Sequence, residues 1–234
     1  MKKTLEQLRG GLIVSCQAKP GSALDDPSII AALARAAQDN GAVAVRIQGA
    51  ANLRAVRSLL TVPVIGLIKR TYEGFEPYIT PTVTEVDAIL ETGAEIVAFD
   101  ATDRPRPLGE ALEVLIEAIH RGGALAMADC ATVTDAEHAT ALGSDISAST
   151  LTGYTKETEG TPLPALDVVR GLRAAGGFVI CEGGIHSPQA GRAAMDAGAD
   201  AIVVGTAITN VDWLVEQFAA ALPSRSWLHE DRLY

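Results

Sequence analysis

The feature that most limits how this chain can fold is an alternation, repeated eight times, of a short apolar run with a longer helical stretch. Segments 12–17, 43–48, 64–69, 96–102, 125–131, 146–152, 178–183 and 201–206 are short, rich in Val and Ile, and read as strands. Ala-rich stretches such as 28–40, 83–92, 108–121, 163–175 and 188–197 lie between them with helical periodicity. Pro27-Ser28, Thr82, Thr132 and Ser187-Pro188 suit helix openings, and Gly41, Gly93, Gly143 and Gly198 suit helix ends. A Gly-Ala pair precedes a strand at positions 41, 93, 123 and 198, a weak internal repeat of the kind βα units give. Strands alternating with helices imply parallel crossover units. Eight units without a break, and no G-x-G-x-x-G after the first strand, favour a closed barrel over an open dinucleotide-binding sheet. The chain has 234 residues, close to the roughly 250 typical of such barrels. We therefore expect an α/β protein, a single (β/α)8 TIM barrel over 1–234, with a C-terminal helix and tail from about 211 to 234.

Charge narrows the partners. The formal net charge is −10 with no Lys/Arg block, which argues against nucleic acid and against anionic membranes. The N-terminus lacks the apolar stretch of a signal peptide, and no apolar run nears the roughly 18 residues a spanning helix needs. Cys16, Cys130 and Cys181 sit in apolar runs without paired spacing, so they read as buried thiols in a reduced, cytoplasmic protein. No His/Cys/Asp set has metal-ligand spacing, and we expect neither metal nor other cofactor.

The strand ends carry the chemistry. Nearly every run finishes on a polar residue: Gln17, Arg46 with Gln48, Lys69, Asp100, Asp129, Thr152, Glu182 and Gly205-Thr206. A parallel barrel brings all of these to one rim. Side chains alternate along a strand, so Ile65, Leu67 and Lys69 share a face, and Lys69 tops an inward apolar column. By the same rule the cysteines, neighbours of Gln17, Asp129 and Glu182, should face the helices. An interior salt-bridge layer would also use such residues, but buried ion pairs gain little over apolar side chains, and a catalytic cluster is the preferred reading. His120 and His138 fall in helices, His229 in the tail, and His186 in a loop after the seventh strand. That leaves a lysine, as base or Schiff-base former, beside carboxylates and an arginine. Gly183-Gly184 and Gly205-Thr206 end the last two strands, where loop N–H groups and a short helix start form the phosphate site of many barrels. Two connections are long, 70–81 and 153–162; the second is polar and bounded by glycines, and suits a mobile lid or an inert surface loop equally.

The segments Val14-Ser15-Cys16-Gln17, Arg46-Ile47-Gln48-Gly49, Gly66-Leu67-Ile68-Lys69-Arg70, Ile79-Thr80-Pro81-Thr82, Asp100-Ala101-Thr102-Asp103-Arg104-Pro105-Arg106-Pro107, Met127-Ala128-Asp129, Thr150-Leu151-Thr152-Gly153-Tyr154-Thr155, Glu182-Gly183 and Val204-Gly205-Thr206-Ala207-Ile208-Thr209 together carry a signature. From residue 10 to about 221 the chain resembles the N-acylglucosamine-6-phosphate 2-epimerases, which convert N-acetylmannosamine 6-phosphate to N-acetylglucosamine 6-phosphate in sialic acid catabolism. The resemblance implies catalytic roles for Lys69 and Glu182, with Gln17, Arg46 and Asp129 holding the sugar. Thr152, Gly183, Gly184, Gly205 and Thr206 complete the expected substrate site. Proton removal from C2 needs a neutral Lys69, and Arg46 is the natural partner for the enolate oxygen. Arg104 and Arg106 read as braces for their loop. The chain departs from the family pattern at Gly184 and Asn210, where arginine is usual. A related acylated amino sugar, including an unphosphorylated one, and a non-catalytic sugar-phosphate-binding barrel are the alternatives. Apolar and aromatic residues between Trp213 and Tyr234 suggest a homodimer.

Overall fold

In the computed structural model, described over residues 2–222, eight parallel strands close on themselves in sequence order. They are β1 (Leu12–Cys16), β2 (Ala44–Gln48), β3 (Val64–Leu67), β4 (Ile96–Asp100), β5 (Leu125–Asp129), β6 (Ile146–Ala148), β7 (Phe178–Glu182) and β8 (Ala201–Val204). β8 returns to pair with β1 through Leu12↔Ile202, Ile13↔Val203 and Val14↔Val204. A leading helix α1 (Lys2–Leu8) is followed by α2 (Pro27–Asp39), α3 (Ala50–Arg57), α4 (Val83–Leu90), α5 (Leu112–Arg121), α6 (Val133–Ala141), α7 (Leu166–Ala175) and α8 (Pro188–Asp196). A short helix α9 (Thr206–Thr209) and α10 (Val211–Ala220) follow β8.

Alternation along each strand splits the core in two. Ile13, Ile65, Leu67, Ile96, Met127 and Ile180 fill the bore, while Val14, Val45, Val64, Val97 and Val179 pack outward against the helices. Leu8 of α1 joins the inner cluster, and the Gly10 N–H donates to the Asp200 carbonyl at 2.7 Å, tying that end of the chain to the barrel. The bore also holds Ala44, Ala98, Ala148 and Ala201. Those small side chains leave room for Arg46, the largest fully buried side chain. Gly66 faces outward where a Cβ would meet Ile89 of α4 at 2.6 Å, so only glycine lets that helix lie so close to β3.

The expected barrel is present, and the three cysteines are free, buried and in the outer layer. Boundaries differ from the sequence reading at several ends. β3 stops at Leu67 and β6 at Ala148, two and four residues before the apolar pattern does. The helix expected from 108 begins at Leu112, because Leu108 (φ 61°) and Gly109 (φ 68°) are left-handed and break it. The helix expected from 163 begins at Leu166, after Pro164. The expected C-terminal helix is α10, none of whose residues is buried. The part of the expected tail beyond 222 lies outside the described residues.

Candidate active site

The strand ends converge on a cavity of about 440 Å³ at the C-terminal mouth, the end where barrel enzymes work. Arg46 lies beneath it, 1% exposed. Its Nη2 donates to Asp129 Oδ2 at 2.5 Å, and its Nη1 is paired with Glu182. One guanidinium thus serves two carboxylates contributed by β5 and β7. Burial opposes charge on Arg46, but Asp129 and Glu182 outweigh it and hold the group protonated. Burial raises the Asp129 carboxyl above the usual range, with Arg46 opposing and Glu182 adding to the effect. Asp129 is fully buried and does not reach the cavity surface. Both terminal nitrogens of Arg46 are committed, and its Nε has no partner, so the geometry gives it the task of holding carboxylates rather than meeting an enolate directly.

Lys69 stands beyond the end of β3 and lines the cavity. It is exposed to solvent at the cavity. Burial, then the Arg46 charge, lowers its pKa, with Glu182 and Asp129 pulling the other way. Sequence reasoning missed what holds it. The connection 70–81 folds back antiparallel, so Lys69 pairs with Ile79, the Arg70 N–H donates to the Tyr78 carbonyl at 2.9 Å, and the Thr80 N–H donates to the Ile68 carbonyl at 2.7 Å. Thr80 takes a left-handed φ of 44°, a strain of about 1–3 kcal/mol for a β-branched residue. Its buried hydroxyl donates to the Ala98 carbonyl at 2.7 Å and accepts from the Ile68 N–H at 3.2 Å. These bonds offset the strain and fix the backbone one residue before the lysine.

Gln17 lines the cavity, its Nε2 donating to Ser15 Oγ at 2.8 Å and its buried Oε1 without a partner. Gly183, Gly184, Gly205 and Thr206 also line it. Among the described residues, none of these four N–H groups donates a hydrogen bond within the protein. Thr152, like Asp129, is an expected residue that does not line the cavity. It is fully buried, and its hydroxyl donates to the Ala131 carbonyl at 2.9 Å. Thr150 takes the place expected for it: its hydroxyl lies 2.7 Å from Asp129 Oδ1 and 3.1 Å from Glu182 Oε2. The sequence reading took Thr152 as the polar end of a strand running to 152, but β6 ends at Ala148 and a turn follows. Ser15, by contrast, was findable, since it shares a face with Gln17. Arg104 and Arg106 brace their loop as expected, through Asp100 Oδ2 at 2.7 Å and through the Thr102 carbonyl at 3.0 Å. Loop 153–162 is held by the Gly153 N–H on Thr158 Oγ1 at 2.8 Å and by Lys156 on Glu76 at 2.5 Å.

Fold and cavity together are those of a (β/α)8-barrel enzyme with a cluster of polar side chains at its strand ends. A family model described as "Putative N-acetylmannosamine-6-phosphate epimerase" matches residues 30–224. Relatives from Klebsiella pneumoniae (strain 342) and Escherichia fergusonii carry that description as 2-epimerases. They are 50% and 47% identical over 214 residues, which is 91% of this chain and 90% and 92% of theirs. The solved N-acetylmannosamine-6-phosphate 2-epimerase from Clostridium perfringens superposes with a TM-score of 0.90 at 40% identity, covering 93% of this chain and 96% of that one. A thiamine phosphate pyrophosphorylase from Pyrococcus furiosus shares the fold alone, with a TM-score of 0.61 at 16% identity over 91% and 92% of the two chains. The chain belongs to the N-acetylmannosamine-6-phosphate epimerase family.

Proposed function

We propose that this enzyme inverts C2 of N-acetylmannosamine 6-phosphate to give N-acetylglucosamine 6-phosphate, with Lys69 as the base. The observation that carries the reading is a lysine of lowered basicity facing, across one cavity, a carboxylate locked to a buried arginine. C2 of the open-chain sugar is α to the aldehyde, so its proton is within reach of an amine base. β3 and β7 lie four strands apart around the closed barrel. Lys69 and Glu182 therefore enter from opposite walls, and a sugar between them presents one face of C2 to each. Lys69, as the neutral amine, removes the proton from one face; Glu182, entering the step as the carboxylic acid, gives its proton to the other face, and exchange with solvent returns Lys69 to the amine and Glu182 to the acid. The charge developing on the enolate oxygen meets the ammonium that Lys69 becomes and the field of Arg46. Gln17, with its unpaired Oε1, supplies an acceptor for a sugar hydroxyl or amide N–H. The free N–H groups around Gly183, Gly184, Gly205 and Thr206 receive the phosphate. The test is proton NMR of the purified protein with this phosphosugar in D₂O. Epimer must form with deuterium at C2, and a protein that neither epimerises nor exchanges C2–H lacks the activity.

Thr150 has one proton to share between two carboxylates. It sets how Glu182 is oriented and protonated without touching the reacting carbon. Thr150→Val is expected to lower kcat about tenfold, the effect of one hydrogen bond to a charged group, and to shift the pH dependence of kcat while leaving KM nearly unchanged. A kcat within twofold of wild type would reduce Thr150 to a spacer.

Three further features belong to the same proposal. The single barrel is the whole catalytic unit. It works in the cytoplasm, in keeping with three free buried thiols. It acts as a homodimer: α10 leaves Val215 and Phe218 60% and 75% exposed, and Val211 and Leu222 extend the apolar strip. Light scattering is expected to give twice the chain mass, and Phe218→Glu to return it to one.

A further inference from the structure

Among the described residues the cavity wall carries three lysine or arginine side chains, Lys19, Arg46 and Lys69. Arg46 is committed to Asp129 and Glu182, and Lys69 stands at the reacting carbon in the function proposed above. The other cations near the mouth are also occupied: Lys156 and Arg104 by Glu76, Arg70 by Glu85. Lys19, among the described residues, has no carboxylate within ion-pair distance. It is exposed, and its backbone is fixed by a turn in which its carbonyl accepts from the Ser22 N–H at 3.0 Å.

Topology places it at the glycine loops. Closure pairs β1 with β8, so the segment after β1 runs beside the segment after β8. Contact is direct: Thr209 Oγ1 donates to the Ser15 carbonyl at 2.7 Å, and a Cβ on Gly205 would lie 3.1 Å from that of Ser15. Lys69 stands beyond the end of β3, two strands from β1 and three from β8 around the barrel. The loops after β7 and β8, residues 183–187 and 205–210, contain no lysine or arginine. Gly184 has φ +69°, and a Cβ there would lie 2.3 Å from Leu163 Cβ, so no side chain fits. Asn210 caps α10, its Oδ1 accepting from the Trp213 N–H at 3.0 Å. His186 lines the same wall, its ring centroid 4.9 Å from that of Trp213 and tilted 37° to it. Backbone N–H groups offer partial charges only, and the protein's net charge of −10 repels an anion at long range.

We propose that Lys19 is the counter-cation for the substrate's phosphate and sets the preference for the phosphorylated over the free sugar. The inference rests on the reading of the cavity as a phosphosugar site. Its test compares wild type, Lys19→Met and Lys19→Arg on N-acetylmannosamine with and without the 6-phosphate, alongside calorimetric binding of inorganic phosphate. Lys19→Met is expected to raise KM for the phosphosugar about tenfold or more, the contribution of one charge-assisted hydrogen bond. Turnover number and the free-sugar reaction should hold, phosphate binding should weaken by a similar factor, and Lys19→Arg should keep most of the affinity. Unchanged phosphosugar KM and phosphate binding in Lys19→Met overturn the proposal. Equal losses on both sugars also overturn it, since they mean that Lys19 shapes the loop. A wild type inactive on the phosphosugar defeats the assigned reaction instead, and the phosphate titrations then judge Lys19 by themselves.

Discussion

Lys69→Met is expected to lower kcat/KM by at least about 10²–10⁴-fold, the range that a positioned general base contributes, with the fold intact. Methionine keeps the length of the side chain and removes only the amine. The rate of C2 deuterium incorporation should fall in step with epimerisation, because one proton transfer underlies both. A pH profile gives a second readout. An amine acts as a general base only when neutral, and burial and Arg46 lower the pKa of Lys69. In wild type, kcat/KM should therefore rise with pH and level off below the roughly 10.4 of an ordinary lysine. A variant that exchanges C2–H at the wild-type rate removes Lys69 from the mechanism. A profile that levels off only above that value means that the base is not tuned by its surroundings.

Arg46→Lys is expected to be nearly as damaging although it conserves charge. The guanidinium reaches Asp129 through Nη2 and Glu182 through Nη1 at once; a shorter point-charge ammonium cannot hold that fork. One carboxylate is then left buried and unpaired, and breaking a buried ion pair costs about 3–5 kcal/mol. The loss should appear twice. Turnover falls about a hundredfold or more as Glu182 is freed, and the melting temperature falls with it, whereas Lys69→Met lowers turnover alone. Near-normal turnover in Arg46→Lys would show that the fork is unnecessary and that Glu182 is held by Thr150 and its backbone.

How much of this was legible in the sequence depended on whether the information was periodic. Eight Val/Ile runs between Ala-rich stretches identify a barrel because burial on two faces and helix amphipathicity are local, repeating demands. Ile65, Leu67 and Lys69 were correctly placed on one inward face for the same reason, as were the outward cysteines. Arg46, Asp129 and Glu182 could be named as rim residues, but their pairing could not. It joins β2, β5 and β7 across the bore, contacts separated by 83 residues in the case of Arg46 and Asp129.

What failed did so where the extended backbone stops. Alternation assigns a side chain its direction only while the residues are in a strand, and β6 gives way to a turn at Ala148. Thr152 therefore points to the Ala131 carbonyl, and Thr150 reaches the carboxylates instead. Loop 70–81 shows the same limit, since nothing periodic announces that Ile79 pairs with Lys69 or that Thr80 is left-handed. Lys19 is a further case, a surface lysine by sequence that closure of β1 onto β8 brings to the cavity wall. The sequence by itself thus determined the barrel, the inward lysine and the polar rim, because each follows from local periodicity and hydrophobic burial. Only the tertiary structure decided which rim residues share a guanidinium, which threonine serves them and which lysine beyond Lys69 reaches the cavity wall, because those are set by contacts between strands that the chain brings together only when the barrel closes.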